Sequence, residues 1–99
     1  MAGDPARSVA TVETASARRY VGQLAKHFAH KIEVETGENH AVLRFECGTC
    51  WMRAEEGRLD LMVESPDLDQ RAETEAVVER HLMVFAFRET LEPLAWRPA

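Results

Sequence analysis

The stretch His40-Ala41-Val42-Leu43-Arg44-Phe45-Glu46-Cys47-Gly48-Thr49-Cys50-Trp51-Met52-Arg53-Ala54-Glu55-Glu56-Gly57-Arg58-Leu59-Asp60-Leu61-Met62-Val63 decides the fold. Apolar and polar residues alternate through it with period two, interrupted at Cys47-Gly48 and Glu56-Gly57 by glycine-bearing dipeptides of the kind that reverse a strand in two residues. A two-residue turn at Cys47-Gly48 predicts Phe45 opposite Cys50, Leu43 opposite Met52 and Ala41 opposite Ala54. On the other side it predicts Arg44 against Trp51, a cation–π pair, and His40 against Glu55. The turn at Glu56-Gly57 sets Ala54 against Leu59, Met52 against Leu61 and Cys50 against Val63, with Arg53 opposite Asp60 and Trp51 opposite Met62 on the other face. The two turns agree about which side is apolar, so the stretch reads as a meander with one face committed to a core.

Upstream, Gly37-Glu38-Asn39 supplies turn residues that join the meander to a further alternating strand, Ile32-Glu33-Val34-Glu35-Thr36. Before that, Tyr20, Leu24 and Phe28 recur at helical spacing from Ala17 to about His30, with Thr14 or Ser16 as the cap. His27 falls on the edge of that stripe and His30 further round its flank. Ser8 to Thr14 alternates as a strand with Ala10 and Val12 inward, and Met1–Arg7 reads as a mobile leader. Downstream, Asp67 opens a second helix carrying Leu68, Val78, Leu82 and Phe85 on one stripe to about Glu89, with His81 one step off it. Residues 90–99 form a tail strap or short edge strand that buries Trp96. A sheet with one apolar face needs a cover, and the two helices supply it. The expected fold is one α+β domain over residues 1–99, a two-layer sandwich in the order strand, helix, four-strand antiparallel meander, helix, laid out like the TATA-binding-protein-like folds.

The chain has 99 residues, 45% of them hydrophobic and 29% charged, as in folded soluble domains. A net charge of −5 and a pI near 5.3 oppose a phosphate backbone, which argues against nucleic acid as a partner. No apolar run resembles a signal peptide or a membrane span, so the expected location is cytoplasmic. In a reducing compartment Cys47 and Cys50 read as free thiols, metal ligands or a redox pair before they read as a disulfide.

Lys26-His27-Phe28-Ala29-His30-Lys31, then Gly48-Thr49-Cys50 opening a strand, then His81-Leu82 with Phe85-Ala86-Phe87-Arg88-Glu89 resembles the uncharacterised bacterial domain-of-unknown-function family twenty-two eighteen, from about Thr11 to Trp96. That family has no established activity to carry over. Related small domains stand at the front of some siderophore-interacting proteins, so the resemblance implies a link to bacterial iron handling. Cys47 departs from the family's pattern, which counts against a general role for the Cys47/Cys50 pair.

Two sets of candidate site residues follow. Imidazoles three residues apart lie on nearly one helix face, so His27 and His30, completed by His81 or by Cys47 and Cys50, could hold zinc, iron or haem. The bland alternative has His27 and His81 as hydrogen-bonded residues at the helix–sheet boundary and His30 at the negative end of its helix. On the outer face, Trp51, Met62, Arg44 and Val42 make the largest exposed apolar patch, either an interface or the packing site of the Trp96 tail. No Ser/His/Asp set, phosphate loop or nucleophile elbow is present. The chain therefore reads as a non-enzymatic accessory domain, without cofactor, that binds a small ligand or a protein partner as a monomer or homodimer. The rival is a metal- or haem-binding protein.

Overall fold

Alternation drives the strands and a 3.6-residue period drives the helices, and the elements come in the expected order. A computed structural model describes residues 4–99. It contains β1 (Ala6–Glu13), α1 (Ala17–Phe28), β2 (Glu33–Thr36), β3 (His40–Arg44), β4 (Thr49–Glu55), β5 (Arg58–Ser65), α2 (Leu68–Phe85) and β6 (Arg97–Pro98). The strands form one antiparallel sheet in the order β2-β3-β4-β5-β1-β6. Helix α1 lies over β3 and β4, and α2 over β5 and β1, so both helices cover the same face. Leu43, Cys50, Met52, Leu59, Leu61 and Val63 meet Tyr20, Leu24, Val78 and Leu82 there, all at most 2% exposed.

The Glu56-Gly57 turn and its register are as the sequence predicts, with Ala54 opposite Leu59, Met52 opposite Leu61 and Cys50 opposite Val63. Gly57 has φ +76°, the left-handed conformation that favours glycine. The other turn is displaced by one residue. Phe45 and Gly48 exchange backbone hydrogen bonds at 2.8 and 3.3 Å, so Glu46-Cys47 makes the reversal and the register shifts by two. Leu43 now faces Cys50, Ala41 faces Met52, Val42 faces Trp51, Arg44 faces Thr49 and His40 faces Arg53. A shift of two preserves the side-chain faces, so the core side is unchanged while the pairs on it differ. Gly48 is needed for close approach instead of for the turn. A Cβ there would stand 2.1 Å from Ser65 Oγ and 2.7 Å from both the Glu64 carbonyl oxygen and Thr74 Oγ1.

The expected Arg44–Trp51 cation–π pair and His40–Glu55 pair do not form. Arg44 instead reaches across to β2, where Glu33 lies 3.2 Å away and Glu35 closes a second ion pair. Helix α1 ends at Phe28, before His30, and α2 ends at Phe85, four residues short of Glu89. Leu68 is 65% exposed, because ten residues at 100° each place it well off the Val78 line; Thr74 takes the buried position one turn before Val78. Of the expected leader, Met1–Gly3 lie outside the described residues, while Ala6 and Arg7 pair with Ser65 and Glu64 in β1.

The tail is a strap followed by an edge strand. Glu79 on α2 accepts hydrogen bonds from Leu94 N and Trp96 Nε1, each 3.0 Å, which holds the strap on the helix side. Arg97 then pairs with Val9 at the sheet edge. Trp96 therefore does not cover Trp51, and that alternative for the outer patch is removed.

Candidate functional site

The helix ends bring two of the three histidines together. His27, in the last turn of α1, and His81, on α2, have ring centroids 5.1 Å apart, with Phe28 4.7 Å from His81 and Phe85 5.7 Å from His27. The Val77 carbonyl can only accept, so His81 Nδ1, 2.7 Å away, carries the proton and leaves Nε2 with its lone pair in the neutral ring. His27 Nε2 is buried without a hydrogen-bond partner. Burial, then the neighbouring charges of His81, Lys31 and His30, push the His27 pKa below its ordinary value, so its neutral form is favoured. His30 lies beyond the helix end, exposed, and does not join the pair. Among the described residues no group of three or more His, Cys, Asp or Glu side chains is placed to hold a metal ion.

The cysteines are both free and sit in different environments. Cys50 is wholly buried among core residues, and burial pushes its thiol pKa up to about 12, so it stays protonated. Cys47, half-buried in the turn, has its sulfur 3.1 Å from Thr74 Oγ1. Neither thiol approaches the histidine pair closely enough to complete a ligand set.

Among the described residues no helix lies over the outer face of the sheet. Across its middle the strand register aligns one row, Glu35, Val42, Trp51, Met62, Val9 and Arg97, each opposite the next on adjoining strands. Four apolar side chains thus run side by side between an acidic and a basic end. Val9, Val42, Trp51 and Met62 floor a trough of about 420 Å³ whose rim includes His40, Arg53, Asp60 and Arg97. Asp60 is engaged by Arg58 at 3.0 Å and Thr11 at 3.3 Å, whereas among the described residues Arg53 and Arg97 form no ion pair. Of the patch expected to be exposed, Trp51 and Met62 are half-buried and Val42 is buried between its neighbours, and Arg44 lies one row away, held by Glu33 and Glu35. Val9 and Arg97 are additions. The β1 alternation places Val9 opposite Ala10 and Val12 and could have revealed it; nothing local signals Arg97, which arrives through the non-local β1–β6 pairing.

This is a two-layer α+β domain with both helices on one face of a six-stranded antiparallel sheet. Residues 9–97 match the model of a family described as an uncharacterized protein conserved in bacteria (DUF2218), and the chain belongs to that family. It is also similar to the solution structure of PA4090 from Pseudomonas aeruginosa, with 40% identity and a TM-score of 0.79 over 94% of this chain and 96% of that one. No curated protein matches the chain. Among the described residues, no helix is long and apolar enough to cross a membrane.

Proposed function

We propose that the chain is a non-enzymatic binding domain whose working surface is the helix-free face of its sheet. One observation carries this reading: on the face opposite the helices, half-buried Val9, Trp51 and Met62 run in one row with buried Val42, beside two arginines that have no ion pair of their own among the described residues. The same sheet already buries a complete core on its other face, so the outer row is not required to close the fold. Partly exposed aromatic and Met side chains beside Arg, within a polar rim, are the usual makeup of a contact surface. The face selects a partner that offers apolar surface together with carboxylates opposite Arg53 and Arg97.

The family resemblance suggests iron or siderophore handling, and a catechol carboxylate has the matching chemistry. Amide shifts of isotope-labelled protein are therefore followed on adding indole-3-acetate, 2,3-dihydroxybenzoate and the ferric complex of the latter. The expected shifts cluster at Val9, Val42, Trp51 and Met62 and weaken in Arg53→Glu. A response to the ferric complex alone supports the iron link. Shifts confined to the helix side, or none, contradict the reading. Metal binding keeps support from the 5.1 Å contact of His27 with His81, with His30 outside the set. Zinc titration of wild type against His27→Ala tests it.

A further inference from the structure

The row across the open face is self-complementary under reversal: acid, Val, large apolar, large apolar, Val, base. From this we infer that the partner of the face is a second copy of the same chain, docked sheet to sheet about a twofold axis running along the strands between β4 and β5. The inference rests on the open face being the working surface and goes further by naming what covers it.

A twofold axis along the strands reverses the strand order and leaves the position along each strand unchanged. Trp51 then meets Met62 of the other copy, Val42 meets Val9, and Glu35 meets Arg97, each contact occurring twice as an isologous interface requires. The flanking rows follow the same rule. Arg53 meets Asp60, and beyond it Glu55 meets Arg58, because each pair stands on β4 and β5 opposite one another. Arg53 and Arg97, which form no ion pair among the described residues, thereby meet carboxylates that each chain already shares with its own Arg58 and Arg44. On the other flank Arg44 meets Arg7, but each is already held by its own acid, Glu33 at 3.2 Å and Glu64 at 2.6 Å. The alternative axis, across the strands, would set Glu35 against Glu35, Arg97 against Arg97 and Asp60 against Glu64. Charge therefore selects the axis along the strands.

The size is adequate. The six strands hold 34 residues, and at ~4.8 Å by ~3.3 Å each they give a face of about 540 Å² in projection, which side-chain relief brings toward the ~800 Å² per partner of a standard interface. Aligned packing, with strand directions within about 30° of each other, is the ordinary way for two such faces to meet.

Sedimentation velocity of the full chain reads the outcome. Wild type is expected to dimerise, and Arg97→Glu to raise the dissociation constant about tenfold or more by setting acids against acids twice. The double variant Glu35→Arg/Arg97→Glu restores the dimer, since the swapped charges again oppose across the axis. An independent check uses Val9→Cys/Val42→Cys in a Cys47→Ser background. Those positions lie three strands apart, roughly 14 Å within one chain, too far for a disulfide, which needs Cα atoms within about 7 Å. Oxidation should give covalent dimers only. A chain that stays monomeric at millimolar concentration, or a dimer indifferent to both the charge swap and the cysteine pair, overturns the inference. If amide shifts with the anionic probes still map to the face in a monomeric chain, the binding reading stands and only the identity of the partner falls.

Discussion

At Gly48 the backbone passes so close to Ser65 and Thr74 that a methyl group would overlap both hydroxyls. Gly48→Ala forces β4 away from β5 and α2, and is expected to cost about 2–3 kcal/mol, read by chemical denaturation. Gly22, with nothing within 4 Å of a Cβ, sits mid-helix, and Gly22→Ala should gain about 0.5–1 kcal/mol. The same measurement checks both signs. His27 gives a pH dependence. Its folded pKa lies below the unfolded value of 6.5, so the unfolded chain binds the proton more tightly. The contribution is intact above about pH 7 and is lost as pH falls through 6.5 and on through the folded value. The melting temperature should fall over that range, and less steeply in His27→Leu; parallel curves would remove His27 as the cause. At Cys50, burial predicts that native protein reacts with a thiol reagent at Cys47 alone and gains a second reactive group only on unfolding. Residue identity shows much of this in advance: the apolar faces of Leu43, Met52 and Leu61 are legible from alternation. The job of Gly48 is not, because a close approach to Ser65 and Thr74 is set by tertiary packing, and a glycine before a strand looks the same in either role.

Among the elements, the strands and the first helix are legible because their periods persist over several residues. Boundaries are less so: α1 stops at Phe28, and Lys31 and Ile32 close back on the Phe28 carbonyl, each at 2.9 Å. Helix α2 shows the limit of periodicity. Its buried face runs through Thr74, whose hydroxyl is satisfied by the Gln70 carbonyl and by Ser65, a polar residue that no apolar pattern would place inside. The strap depends on Glu79, which binds both Leu94 N and Trp96 Nε1. Replacing it with alanine leaves two donors without their acceptor and should cost about 1–3 kcal/mol. Trp96 emission should shift to the red as the strap loosens, and an unchanged spectrum would show that β6 pairing alone holds the tail. Because the strap delivers Arg97 to the sheet edge, the same variant should also weaken contacts made by the open face.

For the whole molecule, the sheet has one face for folding and one for contact. The layering was legible because both meander turns agree about the inside, and it survives the two-residue register shift because pleat parity does. The site was legible in part. Trp51, Met62 and Val42 stand out from their alternation, whereas the His27–His81 contact and the arrival of Arg97 depend on how distant segments meet. Neighbours on β4 allow the most direct test: thermal melting of Met52→Ser against Trp51→Ser. Met52, 1% exposed, faces the helices, and its loss should cost about 2–5 kcal/mol, which for a chain of this size lowers the midpoint by roughly 10 °C or more. Trp51 faces out, and Trp51→Ser should retain a cooperative melt with less than half that loss. If the two substitutions destabilise the chain equally, the outer face is a second core and the account of it as a binding surface is wrong.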